Sequence, residues 1–324
     1  MSADPKPVAL RSLGQRLRRI DVRNYGIVVA FVALFVTLSI ASENFLHKQN
    51  LLNILDQYAP IGLLAAGATI GITAGVFDLS VGAIVSVSAV VAAKVANATS
   101  PSVGIVAGIL TGLGLGTANG VIIHVTRINS FIGTLATGIV YGGLAILITG
   151  GMIVTVTDTG FGVLGQNEAF GVKYTAWVFL GFAVVAGFLL ARTTFGRYVY
   201  AVGGNSEAAR LSGIRVGLVR GACFAISGFA AGLAGALMAS RTSSAQANLG
   251  AGMELSAIAA AVVGGTSIMG GEGAVWRGVL GVLLIAIIGN GFNLLGIDTT
   301  YQLIVQGGLI LLAVAADQLL RRRA

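Results

Sequence analysis

Charge is scarce in this sequence. Charged residues make up 10% of its 324 positions, against about 25% in an ordinary soluble domain. Apolar residues make up 56%, and the mean hydropathy is +0.90. No water-soluble fold hides so much apolar surface behind so few charges. This excludes a soluble enzyme, a DNA-binding module and a disordered scaffold as readings of the whole chain. Cysteine is nearly absent: Cys223 stands alone in an apolar block, so no internal disulfide can form and the thiol reads as packing. Only two histidines occur, His47 and His124, with no cysteine near either, so no zinc spacing exists and no metal or cofactor is expected. The four lysines are Lys6, Lys48, Lys94 and Lys173, and none follows a glycine. The GxxxxGK[ST] loop is therefore missing, and with it the usual cradle for a nucleoside triphosphate.

What is abundant is apolar sequence in long uninterrupted blocks. Alternating segments of roughly ten residues would mark an outer-membrane barrel, and they are not the pattern here. A membrane-spanning helix needs about 20 mostly apolar residues. Charge-free stretches nominate Tyr25–Ser42, Gln57–Phe77, Leu79–Ala93, Val95–Thr126, Ile128–Thr157, Tyr174–Ala191, Gly221–Ser240, Leu255–Gly271, Gly278–Ile297 and Thr299–Ala316. The expected fold is thus all-α and polytopic, with about ten spans. Leu79–Ala93 and Leu255–Gly271 are short enough to be broken or re-entrant. The 48 glycines, about twice the usual ~7%, suit helices that pack closely through small residues, since lipid supplies no hydrophobic drive for association.

The net charge of +8 is carried by clusters that flank the apolar blocks rather than by a nucleic-acid surface. With ten spans both termini lie on one side, and 16 of the 20 Lys and Arg residues fall on that side. The excess marks it as cytoplasmic. Residues 1–24 form a basic cytoplasmic tail ahead of a retained first span, 25–318 a single membrane domain, and 319–324 a basic cytoplasmic tail. The surroundings are membrane lipid, with no nucleic acid.

Three motifs interrupt the blocks. In Gly75-Val-Phe-Asp-Leu-Ser-Val-Gly82, Asp78 either caps the helix that follows or lines a wet path at a helix break, and an acid directly before an apolar run favours the cap. The basic segment 192–220 holds helix signals: Asn205 or Ser206 as cap, Glu207 in the first turn and Gly213 as stop, giving a short cytoplasmic helix near Ser206–Ser212. It reads as a positive-inside loop or as a docking helix for a cytoplasmic partner. The third motif, Gly250–Gly273, starts with Glu254 and ends in a glycine-rich break. Asp78 and, more weakly, Asp56 and Glu254 are the ionisable groups inside blocks, so ion-coupled transport has little support.

Together these stretches resemble the permease subunits of bacterial ATP-binding-cassette importers for simple sugars of the ribose/xylose/galactoside type. That family carries GGIDLSVG, TxxGRxxYAxGGNxxAARLSGI and GYELxAIAAxxxGGTSxxGGxG segments followed by NGLNLLG. Here the last is Asn290-Gly-Phe-Asn-Leu-Leu-Gly296. The similarity runs from about Phe45 to Leu312. Departures include Val76-Phe77 in place of Gly-Ile, Gly142 where relatives often have Arg, and Met253 in place of Tyr.

The resemblance implies a non-enzymatic inner-membrane subunit, paired with a second copy or a paralogue. It also implies a cytoplasmic ATPase and an external substrate-binding protein that delivers a sugar or polyol. It places ATPase coupling on Asn205, Glu207, Ala208, Ala209, Arg210, Leu211, Ser212 and Gly213, with Arg210 meeting acids of the ATPase and Ala208 and Ala209 allowing close approach. Polar groups within spans, namely Asp78, Asn119, Thr134, Thr137, Asn290, Asn293 and Gln302, are candidates for the path, or else hydrogen-bond between helices. Nucleosides or branched-chain amino acids are alternative cargoes, and a secondary carrier or channel is an alternative class.

Overall fold

A computed structural model describes residues 22–298 and, in part, 300–315. The expectations for most of the N-terminal tail and for the C-terminal tail fall outside the described residues. The first half contains α1 (Val22–Ala41), α2 (Lys48–Thr73), α3 (Val81–Ala98), α4 (Pro101–Thr126) and α5 (Ser130–Thr149). A folded connecting segment follows, holding the one-turn helix α6 (Val163–Gln166). Next come α7 (Tyr174–Arg192), two short helices α8 (Thr194–Gly204) and α9 (Ser206–Leu211), then α10 (Val216–Thr242), α11 (Met253–Val263) and α12 (Val275–Leu294). The described positions between 300 and 315 are helical. The chain is a mostly helical, multi-pass membrane protein.

By length and composition, six of the described helices can cross a membrane: α3, α4, α5, α7, α10 and α12. The other stretches nominated from the sequence each depart for a visible reason. In α1 the described apolar run is Gly26–Ala41. α2 is long, at 26 residues, but its first turns carry Lys48, Gln49, Asn50, Asn53 and Asp56. α11 has 11 residues, about 16 Å of helix, which is half a bilayer core. The last stretch is only partly described. Conversely, the block that ended at Ala93 is not short: α3 runs on through Lys94 to Ala98 and reaches 18 residues.

Small residues set the packing. Gly104, Gly108, Gly112, Gly116 and Gly120 are buried at every fourth position of α4. A Cβ on Gly112 would stand 2.5 Å from the carbonyl oxygen of Gly228 on α10, and one on Gly116 would stand 2.6 Å from the Gly228 Cα. The two backbones touch, as the glycine content predicts. The largest apolar cluster is alanine-rich accordingly, with Ala230, Ala231, Ala234, Ala257 and Ala260 fully buried around Leu63, Ile84 and Phe179.

The segment 150–173, between α5 and α7, is folded down rather than looping free. β1 (Val154–Thr155) pairs antiparallel with β4 (Ser244–Ala245), Val154 facing Ala245. β2 (Glu168–Ala169) pairs with β3 (Val172–Lys173). Ser240 on α10 donates its hydroxyl to the Phe161 carbonyl at 2.6 Å and accepts the Gly165 N–H at 2.8 Å. The segment therefore closes over the C-terminal end of α10.

Candidate functional site

The basic segment forms a helix pair. Thr193 accepts the Gly196 N–H and starts α8; the sequence reading missed this helix, taking its basic residues for a loop. Asn205 ends α8 and caps α9, its Oδ1 accepting from the N–H groups of Glu207 and Ala208 at 3.1 and 2.9 Å. Such caps satisfy the free donors of a first turn. α9 stops in a Schellman turn: Gly213 has φ +85, its N–H reaches the Arg210 carbonyl, and the Ile214 N–H reaches that of Ala209.

Glu207, Ala208, Arg210, Leu211 and Ser212 face outward, whereas Ala209 is buried with Val199, Val202 and Val219. Ala209 therefore anchors the helix instead of offering close approach, and Arg210 is occupied within the chain. Its guanidinium forms a two-pronged pair with the Glu207 carboxylate at 3.0 and 2.6 Å. The guanidinium hydrogen bond holds the Glu207 carboxyl below its ordinary pKa. Leu211 is 75% exposed.

α8 ends in a joint with two breaks in the membrane helices. The break after α2 and the break 264–274 after α11 both come to Gly203. The Gly271 N–H donates to the Thr73 carbonyl at 2.9 Å. A Cβ on Gly203 would strike that same carbonyl oxygen and stand 2.6 Å from Gly271 N, while one on Gly270 would stand 3.2 Å from the Gly75 Cα. The Tyr200 hydroxyl fastens α8 to the Gly273 carbonyl at 2.7 Å.

The polar residues within spans separate into two groups. Asp78, Asn119, Thr134 and Thr137 gather around the break before α3. Thr134 accepts the Leu79 N–H at 2.9 Å, Ser130 accepts that of Phe77, and Asp78 accepts that of Ser80 at 3.0 Å. The chain continues from the Tyr141 hydroxyl to Asn119 Oδ1, from Asn119 Nδ2 to the Ser80 hydroxyl, and from that hydroxyl to Asp78. Thr137 donates to the Thr134 carbonyl. Irregular backbone at membrane depth survives only with its polar groups satisfied, and these side chains satisfy it. Asp78 acts three residues ahead of α3 in a local turn. Ser80 holds the cap position, with no side-chain cap bond.

Asn290, Asn293 and Gln302 lie elsewhere. Asn290 exchanges two hydrogen bonds with Asn50, at 2.7 and 3.1 Å. Gln302 donates to the Tyr58 hydroxyl, and the Asn293 side chain is exposed.

Two cavities open among these helices. One, of about 590 Å³, is lined by Asp56, Tyr58, Arg241 and Gln302. The other, of about 780 Å³, lies between α3, α5 and the segment 246–254, with Ser86, Gln246, Asn248 and Glu254 on its wall. Apart from Glu254, noted as an ionisable group, its polar wall was not nominated from the sequence. Gln246 and Asn248 sit between blocks, and only the pair of glycines at 250 and 252 hinted that the chain turns inward there.

The chain belongs to the family of permease components described as "Branched-chain amino acid transport system / permease component", matched over residues 50–314. It is thus a transport permease, not an enzyme. It is 40% identical over 300 residues to the ribose import permease protein RbsC of Bacillus subtilis (strain 168), which covers 92% of this chain and 93% of that protein. It is 39% identical to the L-arabinose ABC transporter permease protein AraH of Azospirillum brasilense, over 93% of this chain and 89% of that one. The ribose import permease protein RbsC of Escherichia coli (strain K12) is 37% identical over 90% of this chain and 92% of its own length.

Proposed function

We propose that this chain is the membrane subunit of an ATP-driven importer for a pentose or related sugar. The observation that carries the reading is the similarity over nine-tenths of the chain to permeases named for ribose and L-arabinose import. The same names favour sugar over the branched-chain amino acids of the family description. The chain crosses the inner membrane ten times, once through the broken segment 243–274 that includes the short α11, with both termini cytoplasmic, and the placement of basic residues supports that orientation. Residues 25–318 act as one membrane domain between the two basic tails.

A cytoplasmic ATPase docks on α9 through Leu211 and the Glu207–Arg210 pair. An external binding protein delivers sugar at the outer face. A second copy or a paralogue covers part of the apolar face of α5, where Val140 and Leu147 are exposed, and lipid covers the rest. The path runs through the larger cavity. α11 supports this choice, because it starts at the cavity wall and leads into the 264–274 break, whose Gly270 and Gly271 meet Gly203. Movement of α8 and α9 thereby reaches the cavity, and ATP shifts the population between outward-open and inward-open arrangements.

Vesicles holding the chain with its ATPase, supplied with loaded binding protein, are expected to accumulate radiolabelled ribose or arabinose only with ATP on the ATPase side. Equal uptake without the ATPase would contradict the reading and point to a carrier or channel.

A further inference from the structure

Glu254 has no structural task that the hydrogen bonds reveal. It sits in the first turn of α11, half-buried, on the wall of the 780 Å³ cavity. Gly82 at the start of α3 makes room for it, since a Cβ on Gly82 would collide with Glu254 Oε2. The neighbouring backbones are locked independently: Gly250 lies against Gly82, and the Gly250 N–H donates to the Ser86 hydroxyl at 3.0 Å. Among the described residues, no hydrogen bond or ion pair reaches the Glu254 carboxylate or the side-chain amides of Gln246 and Asn248. No Lys or Arg is among the residues that line the cavity.

We propose that Glu254 is a sugar-contacting, specificity-determining residue of the path. Its carboxylate accepts hydrogen bonds from adjacent hydroxyls of the passing sugar, while Gln246 and Asn248 supply donors and further acceptors. A carboxylate takes two hydroxyl donors side by side, and charge-assisted bonds of this kind are about twice as strong as neutral ones. Apart from Ser86, the rest of the wall is apolar, with Leu79, Leu135, Ile139 and Ile146 facing the ring carbons. A negative wall without a counter-charge favours neutral polyhydroxyl compounds and disfavours anions such as sugar phosphates. A few contacts of this strength let a substrate bind and still leave.

The proposal rests on the sugar-importer reading, and the test separates the two. The assembled complex in vesicles is supplied with binding protein saturated by labelled ribose or by 2-deoxyribose, so that the binding protein's own preference drops out. The parent complex is expected to transport ribose about tenfold faster than the deoxy sugar, the loss of one hydrogen bond to a charged acceptor. Glu254→Gln should bring that ratio close to one, and Glu254→Asp should restore part of it. A ratio unchanged in Glu254→Gln, whether or not total uptake falls, would overturn the proposal, because a purely structural role lowers both sugars equally. Absence of ATP-dependent uptake of any sugar by the parent complex would instead overturn the sugar-importer reading, and the proposal with it.

Discussion

Gly203→Ala is expected to lose most ATP-driven uptake, whereas Gly204→Ala, one residue away, transports as the parent does. The added methyl group at Gly203 lands on the Thr73 carbonyl oxygen and close to Gly271 N, and both are backbone. Neither can turn aside as a side chain could. The hydrogen bond between Gly271 and Thr73 must then open, or α8 must lift away. Overpacking of this kind costs about 1–3 kcal/mol, and here it falls on the joint through which α8 touches both membrane breaks. A Cβ on Gly204 meets nothing within 4 Å, so the neighbouring substitution should stay within about 0.5 kcal/mol of the parent. Uptake by vesicles and thermal unfolding in detergent check both. A lowered Tm with normal uptake in Gly203→Ala would show that the joint holds the fold without transmitting motion.

The second large effect is expected at Leu211. This side chain is 75% exposed and packs in no apolar cluster of the described residues, so Leu211→Asp should leave the Tm of the chain unchanged. If Leu211 is the apolar anchor for the ATPase, the same substitution should weaken assembly by 2 kcal/mol or more, roughly 30-fold in Kd, as truncation at interface hot spots does. Gly213→Ile serves as a comparison. It forces a β-branched residue to φ +85 and spoils the stop of α9, so both Tm and assembly should fall. Titration of the purified ATPase onto the detergent-solubilised chain measures this. Unchanged affinity for Leu211→Asp would place the docking surface elsewhere.

The sequence made some of this machinery plain and hid the rest, for physical reasons. α9 was legible because its signals are local: Asn205, Glu207 and Gly213 act on backbone within three or four residues of themselves. α8 was not. Its apolar residues Phe195, Val199 and Val202 do recur at helical spacing, but Gly196, Arg197 and Gly203-Gly204 among them made the segment read as a basic loop. Asn119 and Thr134 could be singled out as polar groups in apolar blocks, but their role depends on partners far along the chain. Asn119 meets Ser80 and Tyr141, and Thr134 meets Leu79. These residues hold the broken backbone together, a role the sequence left open beside lining the path. The cavity wall was hidden for the same reason. Gln246 and Asn248 read as loop residues, and only the contact of Gly82 with Gly250 turns that loop inward.

When the ATPase closes, α8, α9 and the break after α11 are expected to move as one body. Spin labels at Ser212→Cys and Met269→Cys report across the joint, and labels at Ser212→Cys and Ile132→Cys report from α9 to α5. All three positions are exposed, and the native Cys223 is buried. Pulsed electron spin resonance on the assembled complex, with and without trapped ATP, should give an unchanged Ser212–Met269 distance and a shifted Ser212–Ile132 distance. A change between Ser212 and Met269 with none between Ser212 and Ile132 would contradict the claim, because the helix pair would then move without carrying the membrane break with it.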